Sequence, residues 1–220
     1  MGRDTPSFGL LGLLCSGFRQ ASLHGGNLLS RRRLIVAAAA VLIFAGLCLI
    51  ASGGYLHAKG WLSQVLLERA WDQRLDGHSL KHAKPWPWAD MAPLVRILVS
   101  RLGVSRIVLS NSSGRTLAFG PAHLSGTGLP GDVGHSVVTG HRDTHFRFLK
   151  ELDLDDVIRV QKSDGTYVEF VVIGTNVLDA RSAHFAEVEA RKILTLVTCY
   201  PFDAVQNGSP LRYAVFAEAF

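Results

Sequence analysis

Residues 1–33, rich in Gly, Ser, Leu and Arg, show no sustained period and read as a short arm. Leu34 to Ser52 (LIVAAAAVLIFAGLCLIAS) follows with no charge and no proline. A helix over this run extends about 28 Å, close to the hydrocarbon thickness of a bilayer. It predicts one transmembrane helix over 34–53. From Lys59 to Leu75, the side chains Trp61, Leu62, Val65, Leu66 and Trp71 recur at roughly helical spacing. This predicts an amphipathic juxtamembrane helix that Gly77 ends. Pro85 and Pro87 then exclude regular helix, so Ala83 to Trp88 reads as an extended connector. Residues 54–90 form this joining region.

Beyond about Met91 the period falls to that of short strands. Arg106–Ser110 and Thr116–Phe119 flank Asn111-Ser112-Ser113-Gly114, which predicts a hairpin. Further apolar runs lie at Ser136–Thr139, Val157–Gln161, Tyr167–Ile173, Ile193–Val197 and Leu211–Ala217. Asp164-Gly165 marks a second hairpin, and Arg147–Leu152 supplies a helical turn. Many short strands with little helix predict a compact β-barrel or sandwich over 91–220, large enough for its own core.

Charge sharpens the topology. The chain carries a formal net charge of +5, and five arginines in residues 1–33 face only Asp4 there. The remainder is nearly neutral, with no basic stripe, helix-turn-helix or zinc-finger spacing, which excludes a nucleic-acid partner. Arg31, Arg32 and Arg33 just before the apolar run place the N-terminus in the cytoplasm and the β-domain outside. The chain therefore reads as single-pass in the cell (inner) membrane, its β-domain periplasmic or extracytoplasmic. A cleaved signal peptide is the alternative, with a small-residue site at Ala51-Ser52-Gly53.

Of the three cysteines, Cys15 falls on the cytoplasmic side, Cys48 in the membrane and Cys199 alone in the exported part. A lone exported Cys has no intramolecular disulfide partner, so it is buried, intermolecular or chemically employed. Three neighbourhoods carry candidate chemistry: Gly140-His141-Arg142-Asp143-Thr144-His145-Phe146, Thr195 to Phe202 around Cys199, and Leu211 to Phe216 around Arg212. Singly, each has an ordinary structural reading as core thiol, turn histidine or snorkelling cation. Together they are the parts thiol catalysis needs. A thiol is mostly protonated near neutrality and needs a partner that takes its proton, which an imidazole does. A guanidinium supplies permanent planar donors to a developing oxyanion. A zinc site of His135, His141, His145 and Cys199 is the competing arrangement, but it lacks the Glu and the helix that a zinc peptidase uses. His145 then reads as a structural neighbour, and Asp143 as an orienting or solvated acid.

These residues resemble the sortase family. Thr195 to Cys199 (TLVTC) is similar to the family's TLxTC strand end, and Val138 to Arg142 (VTGHR) to its Gly-His. Arg212 follows the Cys at a familiar interval. GHRDTHF with TCYPF is most like the branch found in Gram-negative proteobacteria (class GN). The resemblance covers roughly residues 55 to 220. It implies an eight-stranded β-barrel with short helices, preceded by the membrane helix. It also implies a cysteine transpeptidase that cleaves an LPxTG-like C-terminal signal through a thioester and passes the acyl group to an amine acceptor, a cell-envelope component being one candidate. Carried over, Cys199 is the nucleophile, His141 the acid/base, and Arg212 the substrate and oxyanion group. Thr198 is a substrate-orienting residue, and Tyr200 a backbone oxyanion donor. No cofactor or metal is expected: certain sortases bind calcium through clustered carboxylates, but Asp153, Asp155, Asp156, Glu187 and Glu189 here read equally as solvated loop acids. The stretch from Gly174 to Lys192 is expected to form the substrate-selecting loop. A non-catalytic exported β-domain, and a cysteine hydrolase that uses water as acceptor, remain open alternatives.

Overall fold

The computed structural model describes residues 24–185, 188, 190–204 and 208–220. The chain divides into two compact units at His57/Ala58. Helix α1 runs His24–Leu75, and among the described residues it alone is long and apolar enough to cross a membrane. Its side chains from Leu34 to Ile50 are largely exposed, as a lipid-facing helix requires. Cys15 lies outside the described residues.

In the second unit, α1 ends as the glycine predicted. Gly77 takes a φ of 88°, its N–H donates to the Arg74 carbonyl, and the His78 N–H donates to Gln73. This pair of bonds is a Schellman stop, which needs the left-handed residue that Gly supplies. The last turns of α1 are packed rather than free. Leu67 and Trp71 are buried against Met91, Ile107, Leu109 and Ala122.

Eight strands close into a barrel: β1 Pro93–Val99, β2 Val104–Leu109, β3 Ala122–His123, β4 Gly134–Thr139, β5 Val157–Gln161, β6 Tyr167–Asp179, β7 Lys192–Cys199 and β8 Leu211–Ala219. Their order is β1-β2-β3-β4-β7-β8-β6-β5, with β5 returning to β1. The β2/β3 and β4/β7 pairs are parallel and the others antiparallel. Alternation fills the interior: in β1, Val95, Ile97 and Val99 are buried and the residues between them are not. They meet Val138, Phe146, Leu149, Ile158, Phe170, Leu194, Leu196 and Val215 in one core.

Two expected elements come out differently. Thr116–Phe119 is not a strand, because a short helix α2 (Gly114–Leu117) starts there. The Ser113 side chain caps it by accepting the Thr116 N–H, and Asn111 Oδ1 accepts the Thr116 hydroxyl at 2.7 Å. Such local side-chain bonds compete with a sheet ladder, and Ala122–His123 takes the place beside β2 instead. The second difference is the length of β6, which continues to Asp179 past a register shift between Val172 and Gly174. The β6–β7 connection thus begins at Ala180 rather than Gly174.

The acids after the helical turn Arg147–Glu151 have a structural use. Arg101 donates to both carboxylate oxygens of Asp156, and the Asp153 N–H donates to Oδ2 at 2.8 Å. These bonds, Arg101 first, hold the Asp156 carboxyl below its ordinary range against the opposing effect of burial. An Asp lowered on folding stabilises the native state above its unfolded pKa, and loses that contribution as pH falls through the native value. Asp156→Asn is therefore expected to lower stability by about 2 kcal/mol at neutral pH. The gap from the parent should begin to narrow below about pH 4. Urea titrations at pH 7 and pH 3 check both statements.

Candidate active site

The parallel pairing of β4 with β7 builds the site. Thr139 lies beside Val197, so the two strands leave the barrel at the same end, and two residues on come His141 and Cys199. Both side chains line one cleft of about 380 Å³, with Arg142, Asp143, Tyr200, Gly208 and Ser209. His141 is exposed and Cys199 half-buried.

Arg212 enters from the other neighbour of β7. Cys199 is its direct partner across the β7/β8 ladder. The Tyr200 N–H donates to the Leu211 carbonyl at 3.0 Å, which makes 199/212 a non-hydrogen-bonded pair. In such pairs Cα atoms stand only about 4.5 Å apart and side chains leave on the same face. The thirteen-residue interval thus brings a thiol and a guanidinium together. Nη1 of Arg212 donates to the carbonyls of Ser209 at 2.7 Å and Leu211 at 2.8 Å. Among the described residues its Nε and Nη2 have no hydrogen-bond acceptor. Asp179 stays anionic nearby: Arg181 holds its carboxyl at about 2, with a lesser contribution from Arg212.

Two expected site residues are corrected by the geometry. Thr198 does not face the cleft. It is 1% exposed, and its hydroxyl donates to the Gly140 carbonyl at 2.7 Å. Strand alternation turns it inward when Cys199 turns outward, so it anchors the loop that carries His141 instead of touching substrate. Tyr200 fails as an oxyanion donor because its N–H is already engaged by Leu211. Its ring lies beside Tyr213 at 6.2 Å, and Phe202 meets Tyr213 at 5.2 Å, forming an aromatic floor under the start of the β7–β8 loop.

The histidine loop is held from below. A Cβ at Gly140 would come within 2.9 Å of the Phe146 ring, so only glycine lets the chain pass there. The Phe146 N–H closes the loop on the His141 carbonyl at 3.0 Å. Burial pushes His145 down, and the Ala118 backbone engages it. His135 bonds the Thr195 hydroxyl at 2.8 Å. His135 and His145 thus have separate partners, and among the described residues no three His, Cys, Asp or Glu side chains gather as a metal would require.

Arg142, quoted in the motif but given no role from sequence, is 8% exposed. It donates to Asp143 through Nε at 2.9 Å and Nη2 at 3.3 Å, to the Pro201 carbonyl through Nη1, and to the Ala204 carbonyl through Nη2 at 3.0 Å. Asp143 is paired with Arg142, which first holds its carboxyl low, and remains exposed to solvent. Beyond Cys199 the outer face of the sheet is apolar: Val137, Val197 and Ala214 are buried beneath Leu124, Leu178, Phe185 and Phe216. This floor leads into a second hollow of about 350 Å³ bordered by Leu178, Phe185, Ile193 and Phe216.

The closed mixed-strand barrel thus holds Cys199 at the end of β7, between the β4 strand that leads to His141 and Arg212 on β8. The family model "Sortase domain" matches residues 97–220, and the chain belongs to the sortase family. Sortase C-1 from Actinomyces oris is 31% identical, with a TM-score of 0.50 over 58% of this chain and 74% of that one. A Clostridium perfringens sortase D5 transpeptidase shares the fold, with a TM-score of 0.57 at 18% identity over 72% of this chain and 98% of that one. Sortase D of Bacillus subtilis is 28% identical over 121 residues, 54% of this chain. The chain spans about 60% of the length of that curated relative.

Proposed function

We propose that this chain is a membrane-anchored transpeptidase acting on proteins with an LPxTG-like C-terminal signal. The observation that carries the reading is the pairing of Cys199 with Arg212 across β7/β8 at a cleft that His141 also lines. In the proposed reaction the Cys199 thiolate attacks the carbonyl carbon of the signal's Thr. The oxyanion that forms is met by the Nε and Nη2 donors of Arg212, which water cannot replace without reorganisation. The C–N bond then breaks, and the leaving amine takes its proton from His141. The thioester remains on Sγ until an incoming amine attacks it, gives a proton back to His141 and expels the thiolate. The apolar floor of Val137, Val197 and Ala214 suits the Leu and Pro of the signal.

The same reading assigns residues 1–33 to a cytoplasmic arm, 34–53 to the membrane, 54–90 to the juxtamembrane region and 91–220 to the catalytic barrel outside. The arginine triplet before the apolar run supports that orientation. GHRDTHF and TCYPF favour the Gram-negative branch (class GN). The test is incubation of the detergent-solubilised full chain with an LPxTG peptide, with and without an amine, followed by chromatography of the products. Cleavage whose acyl product shifts from acid to amide when amine is added supports the reading. Cleavage that ignores the amine returns the hydrolase reading, and no cleavage across a signal library defeats both.

Arg212→Lys separates planar donation from charge. An ammonium keeps the positive charge but cannot bond the Ser209 and Leu211 carbonyls and still offer two coplanar donors to an oxyanion. The expected loss in kcat/KM is about 10²-fold. Near-parent rates in the same assay would refute the oxyanion role.

A further inference from the structure

The site depends on two segments with no covalent connection near the chemistry. His141 rides on the loop after β4, and Cys199 opens the loop after β7. Below them, Thr198 ties Gly140 to the barrel, but that bond lies on the inner side. On the cleft side another link is needed, because the β7–β8 segment leaves the ladder at Tyr200 and rejoins it at Leu211.

We propose that Arg142 is a positioning residue that clamps the segment after Cys199 to the loop carrying His141, and so fixes the thiol–imidazole geometry; this rests on the transpeptidase reading above. Its guanidinium reaches two carbonyls, those of Pro201 and Ala204, two and five residues after the nucleophile. Its other edge grips Asp143, two residues after His141. One planar group therefore staples both segments. The plane matters: Nε and Nη2 face one carboxylate while Nη1 and Nη2 face the carbonyls, a fork that an ammonium cannot copy. The Arg142 side chain is nearly fully buried, so its loss leaves two carbonyl acceptors without their donor. Its charge also lies within electrostatic reach of Cys199 and Asp203, although the Asp143 bond is the larger influence on it. Asp143 is exposed, which makes it the weaker half of the clamp.

The test compares Arg142→Lys, Arg142→Ala and Asp143→Asn in the full chain. Hydrogen exchange of the Phe202 to Ala204 amides reports the clamp without any turnover. Steady-state kinetics with an LPxTG peptide report its consequence. Exchange there is expected to quicken at least about tenfold in both Arg142 variants, with β7 core amides unchanged. Their kcat is expected to fall by about 10²-fold at nearly constant KM, the cost of misplaced reacting groups, with Lys giving no rescue. Asp143→Asn should lie between parent and Arg142→Lys in both readouts. Unchanged exchange in Arg142→Ala overturns the clamp. Faster exchange with parent kcat, or full rescue by Lys, overturns its positioning role. If the parent itself shows no turnover, the transpeptidase reading fails, and the exchange data still decide the clamp.

Discussion

Cys199→Ala is expected to reduce acyl transfer to background, a loss of about 10⁴-fold or more, while the barrel stays folded. The size follows from the number of steps that pass through sulfur. Without Sγ there is no thioester, and water would have to attack an amide directly in a cleft built for a covalent intermediate. Stability should change little, because Cys199 is half-buried at a strand end and outside the core formed by Leu194, Leu196 and Val215. The other described cysteine, Cys48, lies in the apolar stretch of α1. Product chromatography beside a thermal melt checks both halves. Full activity in the Ala variant would remove the nucleophile from the account.

His141→Ala has the next largest expected effect, about 10³-fold in kcat, within the range of general acid–base catalysis. The side chain is exposed on a loop closed by Phe146 backbone bonding, so its removal leaves that loop intact. The loss should fall mainly on kcat, because a proton carrier contributes little to holding the signal's Leu and Pro on the apolar floor. Added imidazole should restore part of the rate in the variant and none in the parent. Retained kcat, or a loss expressed only in KM, would assign His141 to binding instead.

The parts of this protein that were legible in its sequence are those governed by short-range rules. A nineteen-residue apolar run, alternating strands and a terminal Gly77 each act over a few residues, and the structure carries all three. The conjunction of Cys199 and Arg212 was legible through the needs of thiol chemistry and the sortase resemblance, and the β7/β8 register sets the two residues directly opposite each other. Other features depended on specific side-chain bonds or on partners far along the chain. Thr116–Phe119 has strand-like composition, yet Asn111 and Ser113 cap it into a helix. Thr198 looks like a neighbour of the nucleophile in sequence, but strand alternation sends it to Gly140 on the inner face. Tyr200 lost its oxyanion role to one rung of the sheet ladder. Arg142 stands in the sequence as one arginine among many, and only the return of Pro201 and Ala204 to its guanidinium distinguishes it. A cation set between Gly-His and Asp at a strand end was the one available signal.

The central claim, that Cys199 carries the acyl group, is tested most directly by intact-mass spectrometry of the full chain quenched in acid during turnover of an LPxTG peptide. The account predicts a mass gain equal to the peptide up to and including its Thr, mapped by digestion to Cys199 and discharged by added amine. Peptide turnover with no covalent species, or an adduct mapped to any other residue, would contradict it.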